Sequence, residues 1–347
     1  MPDNRTGIPA TQPSEAKQST AEKPSSPAAP LKATPAAPQK EERKVQAVTS
    51  PKGGSPAAPS PVEAGSGRFP LAVLGLWAAV SVASVFWTPQ PLMRTDGYHT
   101  WQSPSAEHWL GTDGTGADVF SWLMAGSRTD LLIVILTVLV AAALGLLFVA
   151  AMVSRHTALA GVSVVVVDAL ISIPTVLIAL VLAVPLGASI AVIVIACGFG
   201  YGLNLARVAR PQALLAAQSD YVESAVSNGA SGAYVFFRHI VPNILPVMLV
   251  QLSLSAGTAV LAESGLTYLG VGVPSGTPSW GHSLATTVRF ITVYPLTVLW
   301  PGLVVTVAVV ALNLFGDALR DAIDPVTNPE LRRAAGVTRM EEDGHGR

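Results

Sequence analysis

Long apolar runs are the feature that most constrains the fold of this chain. Residues 131–154 contain only apolar and small residues apart from Thr137 and Ser154. About 20 such residues are enough for a helix to cross the hydrocarbon core of a membrane. Only 12% of the 347 residues are charged and the mean hydropathy is +0.49, whereas soluble domains carry about 25% charged residues. The sequence therefore predicts an all-α membrane protein.

The apolar runs predict six transmembrane helices. They cover approximately residues 69–87, 131–154, 160–184, 189–206, 241–265 and 293–315. In the fourth run, Gly198, Gly200 and Gly202 favour close contacts with a neighbouring helix over a gate. Six spans place both termini on the same side of the membrane. Beyond residue 68, nine Lys and Arg residues lie in segments on that side and three lie on the opposite side. Because cytoplasmic loops are rich in Lys and Arg, we expect a multi-pass protein of the cell membrane, embedded in lipid, with both termini in the cytoplasm.

The first 66 residues differ in composition from the rest of the chain. They consist largely of Pro, Ala, Ser, Lys and Glu, with almost no large apolar side chains. Such a segment cannot bury enough surface to offset the entropy lost on ordering. We therefore expect a disordered cytoplasmic tail at 1–66, a transmembrane domain at 67–325 and a second cytoplasmic tail at 326–347.

The distribution of lysine and cysteine excludes several functions. No lysine follows Lys52, so the glycine-rich stretch Gly111–Gly116 lacks the Lys that a phosphate-binding loop requires. The single cysteine, Cys197, cannot form an intrachain disulfide or a cysteine zinc site. The net charge of −1 is not that of a nucleic-acid-binding protein. We expect no ATP site, no metal, no cofactor and no enzymatic activity in this chain.

One polar segment, residues 219–242, interrupts the apolar runs. Asp220 followed by Glu223 is typical of a capped helix start, and Gly229 is typical of a helix end in the left-handed conformation. Ser231 is expected to cap a second short helix, and Pro242 to open the fifth transmembrane helix. The prediction is two short helices joined by a glycine elbow, on the cytoplasmic side.

Aromatic residues are expected to give this polar segment a surface that binds a partner protein. We expect Tyr234, Phe236 and Phe237 to be available for packing, together with Val222 and Ala225. A plain surface loop is the alternative, but exposed aromatic side chains on such a loop favour a docking surface.

Four stretches of the sequence resemble the permease subunits of ABC importers. The similarity is to the second-permease, or C-type, subunit of the dipeptide, oligopeptide and nickel branch, and it covers roughly residues 67–325. The stretches are Glu223-Ser-Ala225 with Gly229 and 240–246, then 108–131, 262–285, and 300–303 with 313–325. Ser224 stands where that family usually has Ala.

The resemblance implies a type I importer permease fold and a set of partners. These are a homologous second permease, two ABC ATPase subunits and an extracytoplasmic substrate-binding protein, for import of peptides or a similar small solute. It also implies that the polar segment couples to the ATPases. The coupling residues would be Glu223, Ala225, Gly229, Phe236, Phe237, Ile240 and Pro242.

Two carboxylates within the apolar runs leave alternatives open. Asp168 and Glu263 are costly in lipid, so each is expected to face protein or water. They would either line the translocation path or serve as hydrogen-bonded structural groups, and an ion-coupled secondary transporter or channel using both is the alternative function. A membrane scaffold without transport is a third. Trp101, Trp109 and Trp122 fit an aromatic belt at the membrane interface.

Overall fold

A computed structural model describes residues 68–323, and the tails predicted at 1–66 and 326–347 lie outside the described residues. The described part is helical. Its ten α-helices are α1 Arg68–Phe86, α2 Val119–Met152, α3 Thr157–Ile171, α4 Thr175–Leu186, α5 Ile190–Ala217, α6 Asp220–Ser227, α7 Gly232–Val235, α8 Val241–Tyr268, α9 Trp280–Thr287 and α10 Pro295–Ile323. A π-helical turn, Phe236–Ile240, joins α7 to α8, and a 3₁₀ turn, Val288–Phe290, follows α9.

The prediction of an all-α protein with several membrane-crossing helices is confirmed. Within the described residues, α1, α2, α5, α10 and the continuous helical stretch Gly232–Tyr268 are each long and apolar enough to cross a membrane. The pair α3 and α4 makes a sixth if it counts as one span. The protein is therefore a multi-pass, all-α chain.

The third predicted span, 160–184, is not a single straight helix. α3 and α4 meet at 85° across the break at residues 172–174. Pro174 causes the break, because proline has no N–H for the helical ladder and disfavours the helical conformation at Ile173. With 15 and 12 residues, the two helices are roughly 22 and 18 Å long at 1.5 Å per residue, so neither crosses a membrane alone.

Two other helices extend beyond the spans that were predicted for them. α2 begins at Val119 instead of residue 131, because Asp118 caps it by accepting a hydrogen bond from the Ser121 N–H at 2.8 Å. α5 continues past residue 206 to Ala217 and includes Arg207. Alanine-rich sequence favours helix there, and one side of this extension packs into the core through Ala206, Ala209, Ala213 and Ala216.

Helices α2 and α5 form the central pair of the bundle. A Cβ on Gly145 would lie 2.6 Å from a side-chain atom of Leu205, and one on Gly198 would lie 2.6 Å from Val140. A Cβ on Gly202 would lie 3.0 Å from Leu144. These small residues let the helix backbones approach closely, as predicted for the glycines of α5.

The connections between helices gather at two ends of the bundle. The α6 end carries the C-termini of α2 and α5 and the polar segment 219–242. The loop end carries residues 87–118 after α1 and residues 269–294 between α8 and α10.

Candidate functional site

Helix α6 begins at Asp220, the residue that was predicted to cap it, so the cap lies one residue earlier. Ser219 is the N-cap residue, and its carbonyl oxygen accepts hydrogen bonds from the N–H groups of Val222 and Glu223. The Ser219 hydroxyl donates to the Ala216 carbonyl at 2.6 Å, so it ties α6 to the end of α5. The prediction that Asp220 is the cap is wrong. Asp220 and Glu223 instead lie in the first turn, where a negative charge interacts favourably with the positive end of the helix dipole.

The glycine elbow is confirmed. Gly229 has φ +85°, in the left-handed region that glycine adopts at low cost. Its N–H donates to the Val226 carbonyl at 2.9 Å, and the Ala230 N–H donates to the Ala225 carbonyl at 3.0 Å. These two bonds satisfy carbonyl groups that a helix end leaves without partners, so the elbow has a defined geometry.

The second short helix was predicted to be a separate element. In the structure it is instead the start of the fifth transmembrane helix. The Ser231 hydroxyl caps α7 by accepting from the Tyr234 N–H at 3.2 Å, as expected. The chain then passes through the π turn directly into α8. Pro242 has no N–H, which weakens the helical ladder at this point, and the Asn243 side chain donates to the His239 carbonyl at 2.6 Å.

The inner face of the polar segment is buried in the bundle. Val222, Val235, Phe236 and Ile240 belong to one apolar cluster with residues of α2, α5 and α8. Phe236 and Ile240, which were expected on the coupling surface, therefore contact the transmembrane helices. Their burial fixes the position of the segment on the ends of those helices.

The outer face of the polar segment is open. The side chain of Phe237 is 66% exposed and that of Tyr234 is 54% exposed, and Glu223 is also exposed. A cavity of about 1140 Å³ lies between this segment and the end of α2. Glu223, Phe237 and Arg155 are among the residues that line it. This end of the molecule offers a groove with aromatic, acidic and basic side chains.

Asp168 lies on an exposed face of α3 and pairs with α5. Its Oδ1 atom is 3.7 Å from Nε of Arg207, and both side chains are at least half exposed. Apolar side chains that include Val165 and Val181 are exposed on α3 and α4. An ion pair is costly against lipid, which is the reason that Asp168 was expected to face protein or water.

Glu263 is in a different place, buried at the loop end with 1% of its surface exposed. Its carboxylate accepts hydrogen bonds from the Thr267 hydroxyl at 2.9 Å and the Ser264 hydroxyl at 3.2 Å. It also accepts from the Ser279 hydroxyl and the Gly281 N–H. Of the two alternatives left open for Glu263, this position agrees with the hydrogen-bonded structural carboxylate.

A second buried carboxylate, Asp130 of α2, was not predicted as a site residue. It is 1% exposed and lies close enough to Glu263 for the two charges to interact. Asp130 Oδ2 accepts from the Trp280 N–H at 3.0 Å, and the Trp280 indole donates to the Leu123 carbonyl at 2.9 Å. The two carboxylates thus hold the start of α9 against α2 and α8. The signal for Asp130 was its position directly before the apolar run that begins at Leu131.

The structure does not bring the two predicted membrane carboxylates together. Asp168 pairs with Arg207 on the exposed face of α3 and α5, whereas Glu263 is buried with Asp130 at the loop end. Within residues 68–323, no group of three or more His, Cys, Asp or Glu side chains is arranged to hold a metal ion.

These features define a class: a multi-pass membrane protein whose polar segment is packed rigidly on its membrane-crossing helices. The family model described as "Binding-protein-dependent transport system inner membrane component" matches residues 141–328. The chain belongs to this family.

Curated relatives agree with this family. A probable peptide ABC transporter permease protein of Sinorhizobium fredii is 36% identical over 263 residues, covering 74% of this chain and 90% of the relative. The nickel transport system permease protein NikC of Escherichia coli K12 is 32% identical over 260 residues, covering 74% and 93%. The dipeptide transport system permease protein DppC of Alkalihalophilus pseudofirmus is 30% identical over 270 residues, covering 74% and 86%.

Proposed function

We propose that this chain forms half of the translocation path of an ATP-driven importer for peptides or a similar small solute. Its partners are a homologous second permease, two ABC ATPase subunits and an extracytoplasmic substrate-binding protein. Family membership and the relatives' names support the class of transporter and a small solute. The ATPase activity belongs to the partner subunits, and this chain supplies the path and the coupling.

The polar segment is the proposed coupling element. One observation carries this assignment: the segment buries Val222, Val235, Phe236 and Ile240 against the spans and leaves Phe237 exposed. A coupling element needs both properties, because a partner must reach it and its displacement must move the helices. The groove beside it is lined by Glu223 and is open to a segment of an ATPase subunit. In this assignment the α6 end faces the cytoplasm, together with both termini.

The exposed face with Asp168 and Arg207 is proposed to meet the second permease and the path between the two chains. A charge pair on that face would be paired in protein or hydrated in the path, instead of facing lipid. The loop end then receives solute from the substrate-binding protein.

The coupling assignment is tested by substituting the exposed aromatic residue. Phe237→Asp places a charge on the outer face and removes one ring contact to Phe236, whose ring centroid lies 5.2 Å away, but leaves the buried residues themselves unchanged. The permease pair should therefore still fold, and it should lose at least about tenfold in ATPase co-purification, equivalent to about 1.4 kcal/mol. Tyr98→Asp is the matched control, because Tyr98 is an exposed aromatic residue at the loop end. Unchanged co-purification of Phe237→Asp would contradict the assignment.

The ion-coupled alternative differs from the proposed ATP-driven importer in its energy source. Uptake into reconstituted vesicles should stop without ATP and should continue when ion gradients are dissipated. The opposite pattern would favour a secondary transporter.

A further inference from the structure

The loop end contains a cavity of about 450 Å³ that the proposed coupling does not use. Its volume lies within the roughly 300–1,000 Å³ typical of small-molecule sites. Its walls come from the loop after α1, the start of α2, residues 275–276, helix α9 and the start of α10. The walls contain three large aromatic rings, those of Trp101, Trp122 and Phe290, together with several Ser and Thr side chains.

Trp101 is fixed in a strained conformation at this cavity. Among the described residues it is the one non-glycine residue with positive φ, at +57°. Its ring stacks on Tyr294 with centroids 4.6 Å apart and an interplanar angle of 1°, and lies 4.7 Å from the Phe290 ring centroid. A Cβ on Gly114 would lie 2.5 Å from the Trp101 ring. Strained residues persist where their surroundings hold them, often at ligand sites.

Asp113 supplies charge to the cavity. Its Oδ1 atom accepts from the Thr115 N–H at 2.8 Å, the Thr115 hydroxyl at 2.7 Å and the Ala117 N–H at 3.0 Å. These contacts fix the carboxylate through one oxygen and leave Oδ2 outside them. Lys and Arg are absent from the residues that line the cavity. The charge of the lining therefore favours a cation over an anion.

His282 does not oppose the preference of the cavity for a cation, because it adds little positive charge. Burial lowers the pKa of the His282 imidazole, and the nearby Asp113 charge offsets part of that effect. The imidazole is thus mainly neutral at pH 7. Its ring lies against Trp122, with centroids 5.8 Å apart.

We propose that the loop-end cavity binds a small organic ammonium compound that also carries an apolar group. The ammonium group lies on Asp113, and the apolar group packs on Trp101 and Phe290. The aromatic faces add cation–π attraction for the ammonium group. This inference rests on the proposed function and deepens it, because it names a class of solute at the end where solute enters.

Three matched probes test the charge preference on the full-length protein in lipid nanodiscs, without partner subunits. Phenylalaninamide carries the ammonium group and an aromatic ring. N-acetylphenylalaninamide lacks the charge, and 3-phenylpropionate reverses it. We expect saturable binding of phenylalaninamide by calorimetry and tryptophan fluorescence, with at least about tenfold weaker binding of the other two. Equal binding of the neutral or anionic probe overturns the proposal, and so does a lack of binding by all three.

Variants test the location. Asp113→Asn keeps the Oδ1 acceptor and removes the charge, so it should weaken phenylalaninamide binding about tenfold and leave N-acetylphenylalaninamide unchanged. Asp96→Asn is the matched control, because Asp96 is an acidic residue of the same loop outside this cavity. Unchanged binding by folded Asp113→Asn overturns the site. Because the ATPase subunits are absent, failure here leaves the coupling test of Phe237→Asp unaffected.

Discussion

Replacing Gly229 with valine tests whether the elbow of the polar segment transmits ATP-driven movement. The change acts through the backbone alone, because a Cβ on Gly229 would meet no atom within 4 Å. At φ +85° a β-branched side chain is a steric outlier. The strain is about 1–3 kcal/mol. This corresponds to a loss of roughly 5- to 150-fold in the equilibrium between the native position of the polar segment and displaced positions.

We expect Gly229→Val to keep its membrane insertion and to lose coupling. The long helices do not depend on the elbow, whereas the positions of Glu223 and Val222 do. The assay is reconstitution with the second permease, the ATPase subunits and the binding protein, with transport counted per ATP hydrolysed. Gly229→Ala should show a smaller loss, because it lacks the β-branch.

Gly75→Val is the matched control for this prediction. Gly75 lies inside helix α1, outside the polar segment, and its Cβ would also meet no atom within 4 Å. The same side chain should therefore be tolerated there. Wild-type transport per ATP in Gly229→Val would refute the reasoning, and so would an equal loss in both variants.

Three further predictions concern topology, acid stability and the tail. With Cys197→Ser as background, a cysteine at Ser275 should react with an impermeant thiol reagent from outside the cell and one at Ser227 should not; the reverse labelling would invert the topology. Since burial lowers the pKa of His282 below its ordinary 6.5, the folded protein binds that proton less tightly than the unfolded chain, so thermal stability should fall as the pH drops below 6.5. His282→Gln should reduce this loss in melting curves, and a pH dependence identical to wild type would contradict it. Deletion of residues 1–66 should leave uptake near the wild-type rate, and lost uptake with intact insertion would show that the tail is required.

Features set by local sequence were predictable. The apolar runs gave the helices because length and composition are enough to identify a membrane-crossing segment. Gly229 gave the elbow because few other residues tolerate positive φ. The cap of α6 was missed by one residue, since Ser219 and Asp220 are both good N-cap residues and local sequence does not decide between them.

Features that depend on distant contacts were not predictable. The hydrogen bond from the Trp280 N–H to Asp130 joins residues 150 positions apart. The burial of Phe236 depends on packing against α2 and α5, so its aromatic character alone suggested an exposed docking residue. The glycine-rich stretch Gly111–Gly116 was expected to lack a nucleotide site, but its place beside a cavity depends on Trp101 and α9.

The continuous helical stretch Gly232–Tyr268 joins the polar segment to the loop end. Its 37 residues pass through the π turn at Phe236–Ile240 and reach the loop end, where the Thr267 hydroxyl donates to Glu263. From Ile240 to Glu263 the helix is about 35 Å long at 1.5 Å per residue, so a tilt of about 5° at Ile240 would shift Glu263 by about 3 Å. That displacement is as long as a hydrogen bond, so even a small tilt at the α6 end would alter the hydrogen bonds that Glu263 accepts from Ser279 and Gly281 at the opposite end.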